Sequence, residues 1–267
     1  MSVRAHLIVG GYPIGSSAGH DMDFARLQLL QALYDHEYQT TVAQDFSSLD
    51  ERLADADLLV SYVAGPYPDD VQTQILEKWL DDGGKWFALH GTSGGRAKRT
   101  GRAGNQRQMV RLPHHELLGA YFLNHPPVRK FRVNVESIDH PLLAGLPQDF
   151  EVEDELYLVE PIDVSTTLLT TELTADPSPP GFGFHYDEDT SLLQDGKTRV
   201  LGLERKVGKG CIVYVALGHT HSPSTNAQPF VDASVDKDGK TPKTFRGAWS
   251  NPHFGRLLNN AMVWGTS

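Results

Sequence analysis

Three apolar runs of this chain lead into histidine. His90 closes "KWFALH", His219 and His221 follow "CIVYVAL" in "LGHTH", and His20 stands beside Asp21 after the run "HLIVGG". Imidazole can pass a proton near neutral pH, donate a hydrogen bond or bind a metal ion. A source of carboxylates lies in "FEVEDELY", where Glu151, Glu153, Asp154 and Glu155 are interleaved with Phe150 and Val152 and precede Leu156 and Tyr157. That pattern predicts an extended stretch with one side buried and a carboxylate turned inward. His125, in "LNHPP", precedes two prolines, the first of which biases its backbone toward extended conformations.

Such a set supports two chemistries. Proton abstraction beside a carbonyl needs a base and an electrophile on opposite sides of one carbon, and His90, His219 and Glu155 could share those roles, with His20 and His125 as further candidates. Neutral imidazoles with a carboxylate also make a ligand set for zinc or a similar divalent ion, although no close H-x-x-x-H pair marks one in the sequence. A third option comes from Gly91 to Gly95, which match G-x-S-x-G and give the chain order Ser93, Asp154, His219 of an α/β-hydrolase triad. Ser93 as a helix N-cap or a substrate-contacting hydroxyl is the competing reading. Cys211, the single cysteine, lies inside "CIVYVAL" and reads as a core thiol.

These residues need a scaffold that gathers strand ends. Apolar strand patterns at His6–Gly11, Tyr38–Phe46, from Asp57 and at Lys85–Leu89 alternate with helical patterns at Asp21–His36, Leu49–Ala54 and Asp69–Asp82. On the first helix Phe24, Leu27, Leu30 and Leu33 are spaced as an inner face, with Asp21 as N-cap; on the third, Val71, Ile75, Leu76, Trp79 and Leu80 are. Strands alternating with helices predict a parallel, doubly wound sheet whose ligands bind beyond the carboxyl ends of the strands. The second half reads as further strands around Val128–Ser137, Ser165–Leu173, Thr198–Val207 and Gly210–His219, with an amphipathic terminal helix from Asn251. One domain over 1–267, with an irregular β-rich excursion in its second half, accounts for this order.

Composition narrows the class. With 39% hydrophobic and 22% charged residues, the chain is an ordinary globular protein, and its net charge of -10 argues against general nucleic-acid binding. The apolar run near the N-terminus is too short for a secretory signal and no run is long enough to span a membrane, so a cytoplasmic protein is expected. Two stretches depart from the average. Arg96, Lys98, Arg99, Arg102, Arg107 and Arg111 crowd one acid-free loop, and 174–196 is rich in Pro, Gly and Asp. The basic loop reads either as a solvated surface loop or as a lid that attracts an anionic ligand.

The motifs "GHD", "LEKWLDDGGKWFALHG", "LLGAYFLNHPP", "HPLLAGLPQDFEVEDELY", "VYVALGHT" and "NPHFGRLLNNAMVWG" resemble, in order and spacing, the ThuA-like (trehalose utilisation) family of the class I glutamine amidotransferase-like superfamily. The resemblance covers nearly the whole chain. It implies a flavodoxin-like α/β fold: a doubly wound, mostly parallel sheet with helices on both faces. It also implies a role in the breakdown of disaccharides, and it places the family's recurrent polar positions on His20, Asp21, His90, His125, Asp154, Glu155, Tyr157 and His219. The basic loop is an enlarged insertion against that pattern. Glutamine amidotransferases hold a cysteine where this chain has His90, so cysteine-dependent acyl transfer is not expected.

The resulting expectation is an isomerase, lyase or hydrolase acting on a disaccharide or its keto derivative by His/Glu acid–base or metal-assisted chemistry. Asp21, Ser93, Asp154, Tyr157 and His221 would contact substrate, and the partners expected are a small carbohydrate and a second copy of the chain, not nucleic acid or membrane. The alternatives are the Ser93–Asp154–His219 hydrolase and a non-catalytic sugar-binding or regulatory module, in which Tyr12, Tyr67, Tyr121 and Trp249 could stack on sugar rings.

Overall fold

A computed structural model describes residues 3–16, 18–101, 106–163, 165–222, 225 and 244–266. The first half alternates as expected: β1 (Arg4–Gly11), α1 (Met22–Asp35), β2 (Gln39–Ala43), α2 (Leu49–Leu53), β3 (Leu58–Ala64), α3 (Asp70–Asp81) and β4 (Lys85–Leu89). In β3 and β4 almost every residue is buried, as befits strands covered on both faces. Asp21 caps α1 by accepting from the Phe24 N–H, and Asp69 with Gln72 forms a capping box on α3.

The inner faces of these helices are offset from the sequence reading. Met22, Ala25, Leu29 and Leu33 are the buried residues of α1, and Thr73, Leu76 and Leu80 those of α3, whereas Leu27 is 62% exposed and Val71 64% exposed. Helical spacing alone admits neighbouring stripes, and the choice between them is made by what the sheet offers.

After β4 the chain makes one 3-10 turn at His90–Ser93 rather than starting a helix. The basic loop then forms a hairpin, β5 (Arg96–Arg99) with β6 (Arg107–Val110), and Arg102 lies outside the described residues. There follow α4 (Pro113–Leu118), β7 (Ala120–Asn124), β8 (Arg129–Val135), β9 (Asp149–Asp154), β10 (Leu158–Pro161), β11 (Thr166–Glu172), β12 (Thr198–Val207), β13 (Gly210–Val215) and the terminal helix α5 (Pro252–Thr266).

The main sheet has nine strands in the order β2-β1-β3-β4-β13-β12-β11-β8-β9. From β2 to β13 the pairings are parallel; from β13 to β9 they are antiparallel, β12 and β13 being joined by a tight hairpin. The connections β1–α1–β2 and β3–α3–β4 step in opposite directions along the sheet, so right-handed crossovers put α1 and α3 on opposite faces. α1 packs against α5, and α3 against α2 and α4. β9 buries Phe150, Val152 and Asp154 and exposes Glu151 and Glu153, the alternation expected of "FEVED". No helix among the described residues is long and apolar enough to cross a membrane.

Candidate functional site

The carboxyl ends of β4 and β13, the start of α1 and the end of β9 meet at one point. His90, the first residue past β4, has a φ of +45°, a left-handed conformation that strains a non-glycine backbone. Gly91 follows it so close to β3 that an added Cβ would lie 2.6 Å from the Val63 carbonyl oxygen. The His90 ring is fully buried, and its Nδ1 donates to the Ala216 carbonyl at 2.9 Å, which leaves Nε2 as a bare lone pair. The same logic applies to His20, whose Nδ1 donates to the Ala18 carbonyl at 3.1 Å.

His219 follows Gly218, whose φ of +123° turns the chain after β13. Its Nε2 meets His221 Nδ1 at 3.1 Å, and its Nδ1 stands 3.2 Å from Glu155 Oε2. Asp154 braces this corner by accepting from the backbone N–H groups of Gly218 (2.8 Å), His219 (3.0 Å) and Glu155 (2.8 Å). Burial nonetheless pushes Asp154 up to about 6.

One ligand atom each from His20, His90, Glu155 and His219 falls within 4.8 Å of all the others. His20 Nε2, His90 Nε2 and His219 Nδ1 are buried and have no hydrogen-bond partner. Buried polar atoms are nearly always paired, so three orphaned nitrogens around one carboxylate call for an explanation. The charges are arranged for a cation. Burial, then the neighbouring imidazoles, holds His20 well below its usual range. Burial would raise Glu155, but His125 and His219 outweigh it and keep the carboxyl well below the ordinary value. Burial also pulls His219 down, yet the adjacent Glu155 carboxylate wins and raises it. Three imidazoles and an ionised carboxylate suit a divalent ion with a preference for nitrogen and oxygen, such as zinc, and the carbonyl bonds of His20 and His90 are the partners that orient metal-binding imidazoles.

The remaining sequence candidates separate into three positions. His125 stands at the rim, its Nε2 3.8 Å from Glu155 Oε1 and its ring stacked 5.8 Å from that of Tyr157. Tyr157 covers His90 at 4.1 Å, and burial raises its hydroxyl well above the usual range, so it stays protonated. Asp21 and His221 lie behind the site: Asp21 pairs with Arg246 at 2.9 Å, and His221 is fully buried against Phe245, with its Nδ1 on His219 Nε2. Ser93 is also buried. Its Oγ bonds the Tyr214 hydroxyl at 2.7 Å and no imidazole, while Asp154 holds backbone and not the His219 ring, so this geometry gives the triad no support.

Sequence reasoning missed Tyr62, which stacks on His90 at 5.9 Å and donates to the Gly218 carbonyl at 2.9 Å. Its only signal was a polar tip inside an apolar strand. The carbonyls of Ala18 and Ala216 carried no side-chain signal at all. Of the aromatics weighed for sugar stacking, Trp249 donates to the Gly218 carbonyl, Tyr67 stacks on His114, and Tyr12 is exposed.

The sequence model of the ThuA family, described as trehalose utilisation, matches residues 14–233. The chain belongs to the ThuA family. All four clustered residues of this ThuA protein fall inside the matched span. Its fold is similar to that of a ThuA-like protein from Parabacteroides merdae (16% identity, TM-score 0.58, covering 100% of this chain and 91% of that one) and of another from Bacteroides uniformis (17%, 0.58, 89% and 94%). A β-galactosidase from Rahnella sp. R3 contains a similar fold within a longer chain (12%, 0.54, 81% and 29%). No curated protein matches this ThuA sequence.

Proposed function

We propose that this ThuA-family protein is a metal-dependent enzyme of carbohydrate breakdown, acting as an isomerase, lyase or hydrolase on a disaccharide or its keto derivative. The observation that carries the reading is the set of three partnerless imidazole nitrogens around the buried Glu155 carboxylate. The family's description points to the carbohydrate. We also read the winding as flavodoxin-like: the order β2-β1-β3-β4-β13 reverses between β1 and β3, and the site lies beyond the carboxyl ends of these strands, where doubly wound sheets bind ligands.

His20, His90, Glu155 and His219 would hold the ion. A divalent ion there supplies Lewis-acid polarisation of a sugar carbonyl or hydroxyl. The chain's own part is positional and protic. Tyr62 and Tyr157 wall the cluster, the backbone strain at His90 fixes its ring, and His125 stands between Glu155 and the aromatic rim. It is therefore the group placed to take a proton from, or return one to, a substrate atom beside the ion. A reducing, cytoplasmic setting goes with this reading, since the lone Cys211 needs no disulfide.

The test is elemental analysis of protein purified without added metal, followed by product analysis with a panel of disaccharides and their 3-oxo forms before and after chelation. Close to one equivalent of a transition ion, with turnover lost on chelation and restored by the ion, is expected. Full turnover in metal-free protein would leave acid–base chemistry by His125, His219 and Glu155 in its place.

A further inference from the structure

The hairpin β5–β6 is the feature that the metal reading leaves unused. Seven arginines outside it, Arg4, Arg26, Arg111, Arg132, Arg199, Arg205 and Arg246, each hold a carboxylate, and three, Arg52, Arg129 and Arg256, stand singly without one among the described residues. Among the described residues, Arg96, Lys98, Arg99 and Arg107 have no such partner, in a chain of net charge -10 with acids to spare. Moreover, Arg99 and Arg107 are direct cross-strand partners, so both side chains leave the same face of the hairpin. Like charges opposite one another destabilise a strand pair, and the cost is removed when an anion sits between them.

That face is linked to the site through a relay of ring contacts. Strand alternation puts Ala97, Arg99, Arg107 and Met109 on it, while Arg96 and Lys98 take the other. Met109 packs against the core, and the Arg107 guanidinium lies over the Phe184 ring at 5.1 Å. Phe184 touches Phe122 at 5.7 Å, Phe122 touches Tyr157 at 4.4 Å, and Tyr157 covers His90. One aromatic wall thus runs from the imidazole cluster to the arginine pair, both of whose side chains are exposed. Planar, always-charged forks in this arrangement suit a phosphate or carboxylate better than a hydroxyl.

We propose that Arg99 and Arg107 form an anion subsite at the outer end of this aromatic wall, and that the carbohydrate processed here carries a phosphate or carboxylate group. This rests on the carbohydrate reading above and names its substrate class. The test is calorimetric titration of wild type, R99Q/R107Q and R96Q/K98Q, each as purified, with a neutral disaccharide, its monophosphate and its uronate form. The metal content of each protein is measured separately, so the failure of the metal reading and of this one are distinguishable.

At low salt the wild type is expected to bind one charged form at least about tenfold more tightly than the neutral sugar, with the preference shrinking as salt is raised. The phosphate and uronate arms tell which anion is read. R99Q/R107Q should lose the preference, while R96Q/K98Q, altered on the other face, should keep it, both melting like the wild type. Equal binding of charged and neutral sugars, no binding of either charged form, or a preference that survives R99Q/R107Q would each overturn the proposal.

Discussion

Two clusters of buried histidines border the turn at His90–Ser93, and they differ in whether their lone pairs converge on a carboxylate. In the first, His20, His90 and His219 aim bare nitrogens at each other and at Glu155. In the second, His114 and His115 lie 3.9 Å apart and both donate from Nε2 to the Gly94 carbonyl, at 3.0 and 2.9 Å, and His115 Nδ1 accepts from the Leu112 N–H, while His114 Nδ1 is a single buried nitrogen without a partner. Among the described residues no carboxylate pairs with His114 or His115. Burial drives both toward the neutral form, His115 to about 4. Packing imidazoles together therefore makes a brace; converging lone pairs and an ionised carboxylate make a site.

Glu155→Gln should break the comparison at its sharpest point. It keeps the shape and removes the charge that offsets a bound cation. Metal affinity is expected to fall by more than about 100-fold, the upper end of what losing a ligand's hydrogen-bond partner costs, and turnover should fall with it. His114→Asn with His115→Asn should leave metal content at the wild-type level and lower stability instead, by a few kcal/mol as buried bonded groups commonly do. Elemental analysis and urea midpoints on the two proteins decide it; loss of metal from the second would show that the brace is part of the site.

The pH dependence of stability separates the brace from the rest of the fold. His115 titrates near 6.5 when unfolded and at about 4 when folded, chiefly through burial, so the folded state refuses a proton that the unfolded state accepts. Its contribution is fully present above pH 6.5 and is lost as pH falls toward 4, reaching about 3 kcal/mol from a shift of this size. His6 on β1, fully buried beside Thr41 of β2 and also at about 4, acts in the same direction. Wild type minus His115→Asn, compared by urea unfolding at pH 7, 5.5 and 4.5, should shrink as the pH drops. A constant difference would mean that the ring is already charged in the fold.

A finer contrast concerns His221. With His219 Nδ1 given to the site, its Nε2 carries the hydrogen and donates to His221 Nδ1, so one tautomer of each ring is imposed. His221→Ala frees the His219 ring, and metal affinity measured by calorimetry should weaken by about 10- to 100-fold. His221→Gln, whose carbonyl can accept the same bond, should recover part of it. No change in either variant would return His221 to a packing role.

How far the sequence disclosed this arrangement depends on the kind of signal. Strand ends were legible because apolar runs stop abruptly, and this brought His20, His90 and His219 to one rim; the alternation in "FEVEDE" turned Asp154 inward and carried the chain to Glu155. The roles within the group were not legible. Asp154 and Glu155 are neighbours of the same chemistry, yet one binds three backbone N–H groups and the other faces the imidazoles, a division set by the turn that ends β9. Nor could spacing separate His114 and His115 from the site, because what distinguishes them is the Gly94 carbonyl. The hairpin in the basic loop was hidden because alternating charge carries no apolar period.

The smallest effect expected is that of Ser93→Ala, and it discriminates between readings for that reason. Ser93 Oγ bonds the Tyr214 hydroxyl, which itself donates to the His90 carbonyl at 3.0 Å. Removing Oγ leaves the Tyr214 bond in place, so the loss is one buried hydrogen bond, about 1 kcal/mol of stability. The His90 ring is held from elsewhere, by Ala216 and by the wall of Tyr62 and Tyr157, and its bare Nε2 still faces Glu155. Metal content should therefore be unchanged and turnover should stay within about threefold of wild type, since no transition-state contact is removed. A nucleophilic serine predicts the opposite: full stability and metal loading with turnover abolished. That result would move the chemistry from the imidazole cluster to the turn beside it, and with it the meaning of the strain at His90.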